Sequence, residues 1–392
     1  MFRNHLMLSL LWSKGKKVKK VEENPDLPWD VLDIISQTLD FDDFFQFASV
    51  CKNLRAFHLN YWRDFLTSQE PLILQISYGP TGEISFINIA DQKVYHCLKI
   101  KKYFIDYSYA TSSSGYFILV GRNNSVLLIN PFTRIKKVIN TCPFETNSHL
   151  NVNRALLAFD KCSEEFVLVV FSNYPGSLYV YQSRNCSWIT YSIMSNQGRV
   201  IDFVVLHNII YVVTTKGNIG VLSLNAPNIK FLKLKNIPNE KDLSLRLVNC
   251  DEQLLVIDLW LYDVRNVYKI DFSTMSYVKL ETLGNIALFS ALFKNFYALS
   301  NPNRWGYESN FVYILSTIGC NVYSGDDKKL QRLITLPAPH GEDSFLLDWC
   351  FRHLQYEVDY SLVEWLVYCT PCYLWSLCFN LLSFCLPVTW PE

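Results

Sequence analysis

From Leu72 to Leu336 the chain is a succession of short apolar runs, each ended by Gly, Asn, Asp or Ser. LILQIS, GEISFINI, YFILVG, SVLLIN, FVLVVF, SLYVYQ, IIYVVTT, LLVIDLW and FVYILS are examples. β-Branched and aromatic side chains crowd these runs, and such residues suit an extended, half-buried backbone. Helical periodicity of any length is nearly absent until roughly the last fifty residues. Runs separated by about 8–12 residues, with turn chemistry between them, are the pattern of sandwiches, barrels and propellers.

A weak internal repeat chooses among these. SLYVYQSRNCSWITYS (Ser177–Ser192), IIYVVTTKGNIGVLSL (Ile209–Leu224) and VYKIDFSTMSYVKLETL (Val267–Leu283) share one form: an aromatic-bearing strand, a polar turn and a second strand. Hairpins of this kind, repeated along the stretch, predict roughly six blades of a β-propeller at about 40–50 residues each. A double sandwich is the alternative.

The stretch before it has another period. In LPWDVLDIISQTLDFDDFFQFASVCKNLRAFHLNYWRDFL (Leu27–Leu66), Val31, Leu32 and Ile35 recur at helical spacing. Pro28 stands at the helix start, where its missing N–H costs nothing. Asp40, Asp42 and Asp43 read as a break and an N-cap, and Phe44, Phe47, Val50, Cys51 and Leu54 form a second apolar stripe. Three short helices of this size have a marginal core and lean on another surface.

The order LPxDVLxxI, a gap, VCKxxR and a later Trp resembles the F-box, carried here by Leu27, Pro28, Val31, Leu32, Ile35, Val50, Cys51, Lys52 and Trp62. A generic three-helix cap is the bland alternative. The resemblance implies docking on the Skp-type adaptor of a cullin-RING ubiquitin ligase. Leu27, Pro28, Val31, Leu32, Ile35, Val50 and Cys51 are the candidate adaptor-binding residues. Phe44, Phe47 and Trp62 are expected to hold the box together or pack it on the next domain.

A second resemblance lies further on. SSSGYFILVGRNNSVLLINPFTR (Ser112–Arg134), IDFVVLHNIIYVVTTKGNIGVLSL (Ile201–Leu224) and VYKIDFSTMSYVKLETLGNIALF (Val267–Phe289) are similar, in this order, to a plant F-box family. The C-terminal half of that family is a propeller-like domain of the KIB type. The expected fold class is therefore α+β by segments, a small N-terminal helical F-box followed by an all-β propeller-like domain. The expected boundaries are a disordered basic arm at 1–26, the F-box at 27–70, a substrate-binding propeller-like domain at 71–340, and a hydrophobic segment at 341–392 that closes the propeller.

Net charge is zero, which argues against a phosphate-facing nucleic-acid surface, since that needs clustered Lys and Arg. Lys14, Lys16, Lys17, Lys19 and Lys20 form a basic run that fits a nuclear import signal, contact with acidic lipid, or simply a solvated arm. Cytoplasmic or nuclear residence is expected, with the twelve cysteines as reduced, small core residues. Trp365–Leu386 carries no charge and is long enough to span a bilayer. It is read as a buried element of the propeller, its LPVTWPE ending resembling the family's last strand, with a tail anchor as the alternative.

No phosphate-binding Gly loop, HExxH or GxSxG elbow occurs. His207 reads as a core residue within an apolar strand, and His340-Gly341-Glu342-Asp343 as a solvated turn. Cys369 and Cys372 lack the second pair a zinc site needs. No catalytic residue, cofactor or metal is expected. The resemblances together imply a non-catalytic substrate receptor of an SCF-type ligase, binding the adaptor, through it a cullin, and an unidentified target protein. Two rivals are a binding protein outside the ligase with an F-box-like cap, membrane-anchored or not, and a propeller enzyme with carboxylates or a metal converging in its channel.

Overall fold

The computed structural model describes residues 27–38, 50–54, 56–57, 71–77, 84–89, 92–96, 103–121, 123–131, 135–140, 142–144, 152–161, 163–172, 177–191, 197–238, 244–260, 263–291, 294–316, 319–337, 345–351 and 356–359. The chain divides into two compact units, Met1–Phe65 and Leu66–Glu392. Phe44, Phe47, Trp62, the acidic run at 40–43, the polar loop at 340–343 and the stretch from 360 onward lie outside the described residues.

In the first unit, α1 (Trp29–Thr38) begins where the sequence places it. The Pro28 carbonyl accepts the first helical bonds, from the amides of Val31 and Leu32, both at 3.1 Å. Asp30 in the first turn complements the positive end of the helix dipole. Helical backbone recurs at 50, 52–54 and 56–57.

Among the described residues, the second unit is mostly β and arranged as six sheets. The first contains β1 (Leu72–Ser77), β2 (Ile84–Ile87) and β3 (Val94–His96), and the second β4 (Tyr107–Ser113), β5 (Tyr116–Gly121), β6 (Ser125–Ile129) and β7 (Lys136–Ile139). The third has β8 (Val152–Asp160), β9 (Phe166–Ser172), β10 (Ser177–Gln182) and β11 (Ser187–Tyr191), and the fourth β12 (Val200–Leu206), β13 (Ile209–Thr214), β14 (Ile219–Leu222) and β15 (Ile229–Phe231). The fifth has β16 (Ser244–Cys250), β17 (Gln253–Trp260), β18 (Asp263–Asp271) and β19 (Ser276–Leu280). The sixth has β20 (Ile286–Ala291), β21 (Phe296–Ser300), β22 (Phe311–Leu315), β23 (Gly319–Ser324) and β24 (Leu330–Thr335). Two more strands, β25 (Phe345–Cys350) and β26 (Tyr356–Val358), return to the earlier sheets.

This is a six-bladed propeller. Strands in the middle of a blade, such as β1, β9, β13 and β20, are buried along their whole length, because each of their faces packs on a neighbouring blade. That is why they read as unbroken apolar runs rather than alternating ones. The outermost strands β7, β15 and β24 are exposed or half-buried over most of their length. The core is accordingly a series of inter-blade seams. One packs Leu156, Val169 and Phe171 against Val205 and Val212, and another packs Phe289, Tyr313 and Leu315 against Ile73 and Trp349.

Closure comes from β25, which pairs antiparallel with β1 from Leu72↔Cys350 to Ser77↔Phe345 and so joins the end of the propeller to its beginning. This closing strand precedes the Trp365–Leu386 stretch and its LPVTWPE ending. β26 then adds to β8 in parallel, Tyr356↔Ala158 to Val358↔Asp160, at the end of the propeller where β8 finishes.

The sixth blade departs from a plain meander, since β20 runs parallel to β22 and forms an antiparallel hairpin with β21. His207 does not lie in a strand core. With Asn208 it forms the β12–β13 turn, both residues at positive φ (50° and 63°), and it is exposed. Two consecutive left-handed residues give the tight turn whose twist matches a hairpin, and Asn tolerates that backbone well.

Candidate adaptor face and propeller channel

Two places in the molecule gather chemistry that the fold alone does not require. The first is α1. Leu27 is 51% exposed, Val31 38% and Ile34 65%. Val31 and Ile34, three apart, share one side of α1, and Leu27 lies two residues before the helix begins. Leu32, about 100° round from Val31, is only 3% exposed, and Phe57 is fully buried. Trp29 stands edge-on to Phe57 with ring centroids 5.7 Å apart while keeping half its surface in solvent.

Ile35 is half-buried, and Pro28, Val50, Cys51 and Lys52 are exposed. The Cys51 sulfur accepts the Leu54 amide at 3.5 Å. Of the candidate adaptor residues, then, Leu27, Pro28, Val31, Val50 and Cys51 face solvent, Ile35 does so partly, and Leu32 does not. Ile34 and Trp29 are accessible apolar residues that the motif match passed over. Ile34 lies about one turn beyond Val31, and a helical wheel anchored on Val31 finds it. Exposed apolar residues grouped in this way are what interaction surfaces commonly present.

The second place is the propeller axis. The strands β25, β4, β8, β12, β16 and β21 form its ring, joined by side-chain bonds from blade to blade. The Tyr109 hydroxyl donates to Asp348 Oδ2 at 2.7 Å, and Ser112 Oγ donates to the Trp349 carbonyl at 3.0 Å. Ser114 Oγ donates to the Leu157 carbonyl at 2.6 Å. Asn249 Nδ2 donates to the Val205 carbonyl at 2.9 Å. From the sixth blade Lys294 and Asn295, just before β21, reach across the axis. Lys294 Nζ donates to the Ala110 carbonyl, and Asn295 Nδ2 donates to Thr111 Oγ1 at 3.1 Å.

Burial pushes the Asp348 carboxyl up to about 6, partly offset by Lys294 and by the bonds from Tyr109 and the Trp349 amide. Burial likewise holds Lys294 below its ordinary value, with Asp348 opposing. Both carboxylates of this region are engaged, Asp348 as described and Asp202 by Arg154 at 3.2 Å and by the Leu247 amide at 2.9 Å. They do not converge on an open site. Among the described residues no group of three or more His, Cys, Asp or Glu could hold a metal, and no helix is long and apolar enough to cross a membrane.

The comparisons with known proteins agree with this geometry. The KIB1-4 beta-propeller family matches residues 86–341, and the F-box domain matches residues 25–57. The F-box/kelch-repeat protein KIB1 of Arabidopsis thaliana is 22% identical over 254 residues, which cover 60% of this chain and 66% of that protein, just under two thirds of its length. Among solved structures, apo AztD from Citrobacter koseri is 15% identical over 49% of this chain and 50% of its own, with a TM-score of 0.32. A protein of unknown function from Bacteroides thetaiotaomicron is 11% identical over 73% of this chain and 84% of its own, with a TM-score of 0.36. Superpositions this loose bear on nothing further.

Proposed function

This chain belongs to the KIB1-4 beta-propeller family and carries an F-box domain, and from that premise we propose that it is the substrate-recognition subunit of an SCF-type ubiquitin ligase. The observation that carries the proposal is the exposure of Val31 and Ile34 on one side of α1 and of Leu27 just before it, within the segment that matches the F-box. A Skp-type adaptor covers this side, with Val50 and Cys51 adding to the contact and Ile35 at its margin. Leu32 acts from inside, holding the helix that presents them. A cullin is reached through the adaptor.

The propeller binds the target protein. The receptor itself makes and breaks no bond. Its contribution is to hold the target near the ubiquitin-charged enzyme, which turns a bimolecular attack into an effectively local one.

The test is adaptor binding by the full chain and by its Val31→Asp and Ile34→Asp variants. A charge set into the centre of an apolar interface is expected to cost about 2 kcal/mol or more, ~30-fold in Kd, while helicity and propeller unfolding stay unchanged. Leu333→Asp, at an exposed propeller position, should bind like the unmodified chain. Failure of the unmodified chain to bind, or equal binding by all three variants, would sink the receptor reading.

A further inference from the structure

Arg154, Asp202 and Arg246 are each the third residue of their strands, β8, β12 and β16, and these strands are neighbours in the ring around the axis. The three side chains therefore stand at one height, near the end of the channel where the ring strands begin. Arg154 is almost fully buried; its Nη1 lies 3.2 Å from Asp202 Oδ1 and donates to the Ile201 carbonyl at 2.7 Å. Asp202 spends its other oxygen on the Leu247 amide.

Arg246 is left over. Its side chain is half-buried, and its hydrogen bond goes to the carbonyl of the preceding residue, Leu245, at 2.9 Å. No carboxylate of the described residues pairs with it in an ion pair. Lys294 and Asp348 offset one another further along the axis, so among the described residues Arg154, Asp202 and Arg246 leave one cation unbalanced at this end. The acidic residues Asp160 and Glu357 stand at the opposite end, where β26 lies against β8.

A partly desolvated guanidinium beside a second one, with four of its five N–H donors given no bond, is an unfavourable arrangement to maintain without an anion. Burial, then the nearness of Arg154, push Arg246 down to about 9, with Asp202 opposing, so it keeps its charge at neutral pH.

We propose that Arg246, backed by Arg154, is an anion-recognition site at this mouth of the channel, taking a carboxylate or phosphoryl group presented by the target protein. The planar fork of a guanidinium matches the paired oxygens of either group. Asp202 fixes Arg154 and leaves Arg246 for the ligand. β26 lies against β8 at the opposite end of the channel. Only the bearer of the anion rests on the receptor role proposed above; the site itself rests on these contacts.

The experiment is thermal unfolding of the full chain titrated with inorganic phosphate at constant ionic strength, beside Arg246→Gln and Arg246→Lys. Phosphate stabilises proteins generally by exclusion from their surfaces, so the difference between chains is the readout. The unmodified chain should show a saturable gain, about 2 °C at ten times Kd for a domain of this size. Arg246→Gln should lose that gain while unfolding no earlier than the unmodified chain without phosphate, because it removes an unbalanced charge. Arg246→Lys should keep part of it.

Equal gains in all three chains would show surface exclusion alone and overturn the proposal. A lower unfolding temperature for Arg246→Gln without phosphate would make Arg246 a structural residue and overturn it too. Adaptor binding does not enter the measurement, so failure here leaves the receptor reading standing, and failure of that reading leaves this site.

Discussion

The two units of the chain solve opposite problems. The propeller covers its own apolar surface: its seams are lined by residues such as Val167, Val212, Leu255 and Phe289, all with essentially no exposure. The F-box segment leaves Leu27, Trp29, Val31, Ile34 and Val50 open. A unit that hides its core depends on nothing else to persist, whereas one that displays apolar side chains suits a partner. Under the proposed receptor role, the same kind of side chain contributes stability in one unit and affinity in the other.

The sharpest way to break this contrast is at the closing strand. Trp349 is fully buried, donates from Nε1 to the Ser290 carbonyl at 2.9 Å and stands edge-on to Phe289 at 5.0 Å. Trp349→Ala is expected to cost about 3–5 kcal/mol from lost burial and the cavity it leaves, read as a lower denaturant midpoint. Removing Ile34 with Ala, by contrast, should leave that midpoint in place and weaken only adaptor binding. A propeller that tolerates Trp349→Ala does not depend on β25 for closure.

A smaller effect separates the axis from the seams. The folded Asp348 carboxyl titrates near 6, above the 3.8 of a free one, so between these values the folded state holds a proton that the unfolded state has released. Stability from this group is therefore complete below about pH 4 and lost as pH rises through about 6. The shift of roughly two units corresponds to about 3 kcal/mol. Asp348→Asn should remove this fall, so the difference in unfolding free energy between the two chains should change across pH 4–6 and be flat above it. Parallel curves would mean that folding leaves the Asp348 carboxyl titrating as it does in the unfolded chain.

Much of the propeller could be read from the chain, and the part that could not is instructive. The unbroken runs correspond to the middle and outer strands β1, β5, β6, β9, β10, β13, β17 and β22. The ring strands β4, β8, β16 and β25 do not stand out as runs. YSYATSS, VNRALLAFD, SLRLVNC and FLLDWC carry the axis-facing polar residues, Arg154, Arg246, Asn249 and Asp348 among them, and these interrupt the apolar signal. The residues with the most chemistry were hidden by having it.

Within the 341–392 segment expected to close the propeller, which strand does so was hard to see, because Leu72 and Cys350 meet only when every blade between them has formed. His207 shows the converse, a turn obscured by long apolar neighbours on both sides. In the F-box the motif names the helix but not its orientation. Val31 and Leu32 are adjacent in sequence, and only the packing of the rest of the unit decides which of them faces out.

The gentlest test compares two cysteines. Burial pushes the Cys142, Cys250 and Cys320 thiols up to about 12, so they hold almost no thiolate, the reactive form, near neutral pH. Cys51 and Cys186 are exposed, one on the F-box and one in the β10–β11 turn. In the folded chain alone, an alkylating reagent should modify both and spare the three buried thiols. With a saturating Skp-type adaptor, Cys51 should be protected severalfold while Cys186 reacts at its former rate, because only the first lies in the proposed contact. Protection of both would point to a general change in the chain. Protection of neither, in a complex shown to have formed, would remove Cys51 from the interface and leave the adaptor to α1 and Val50.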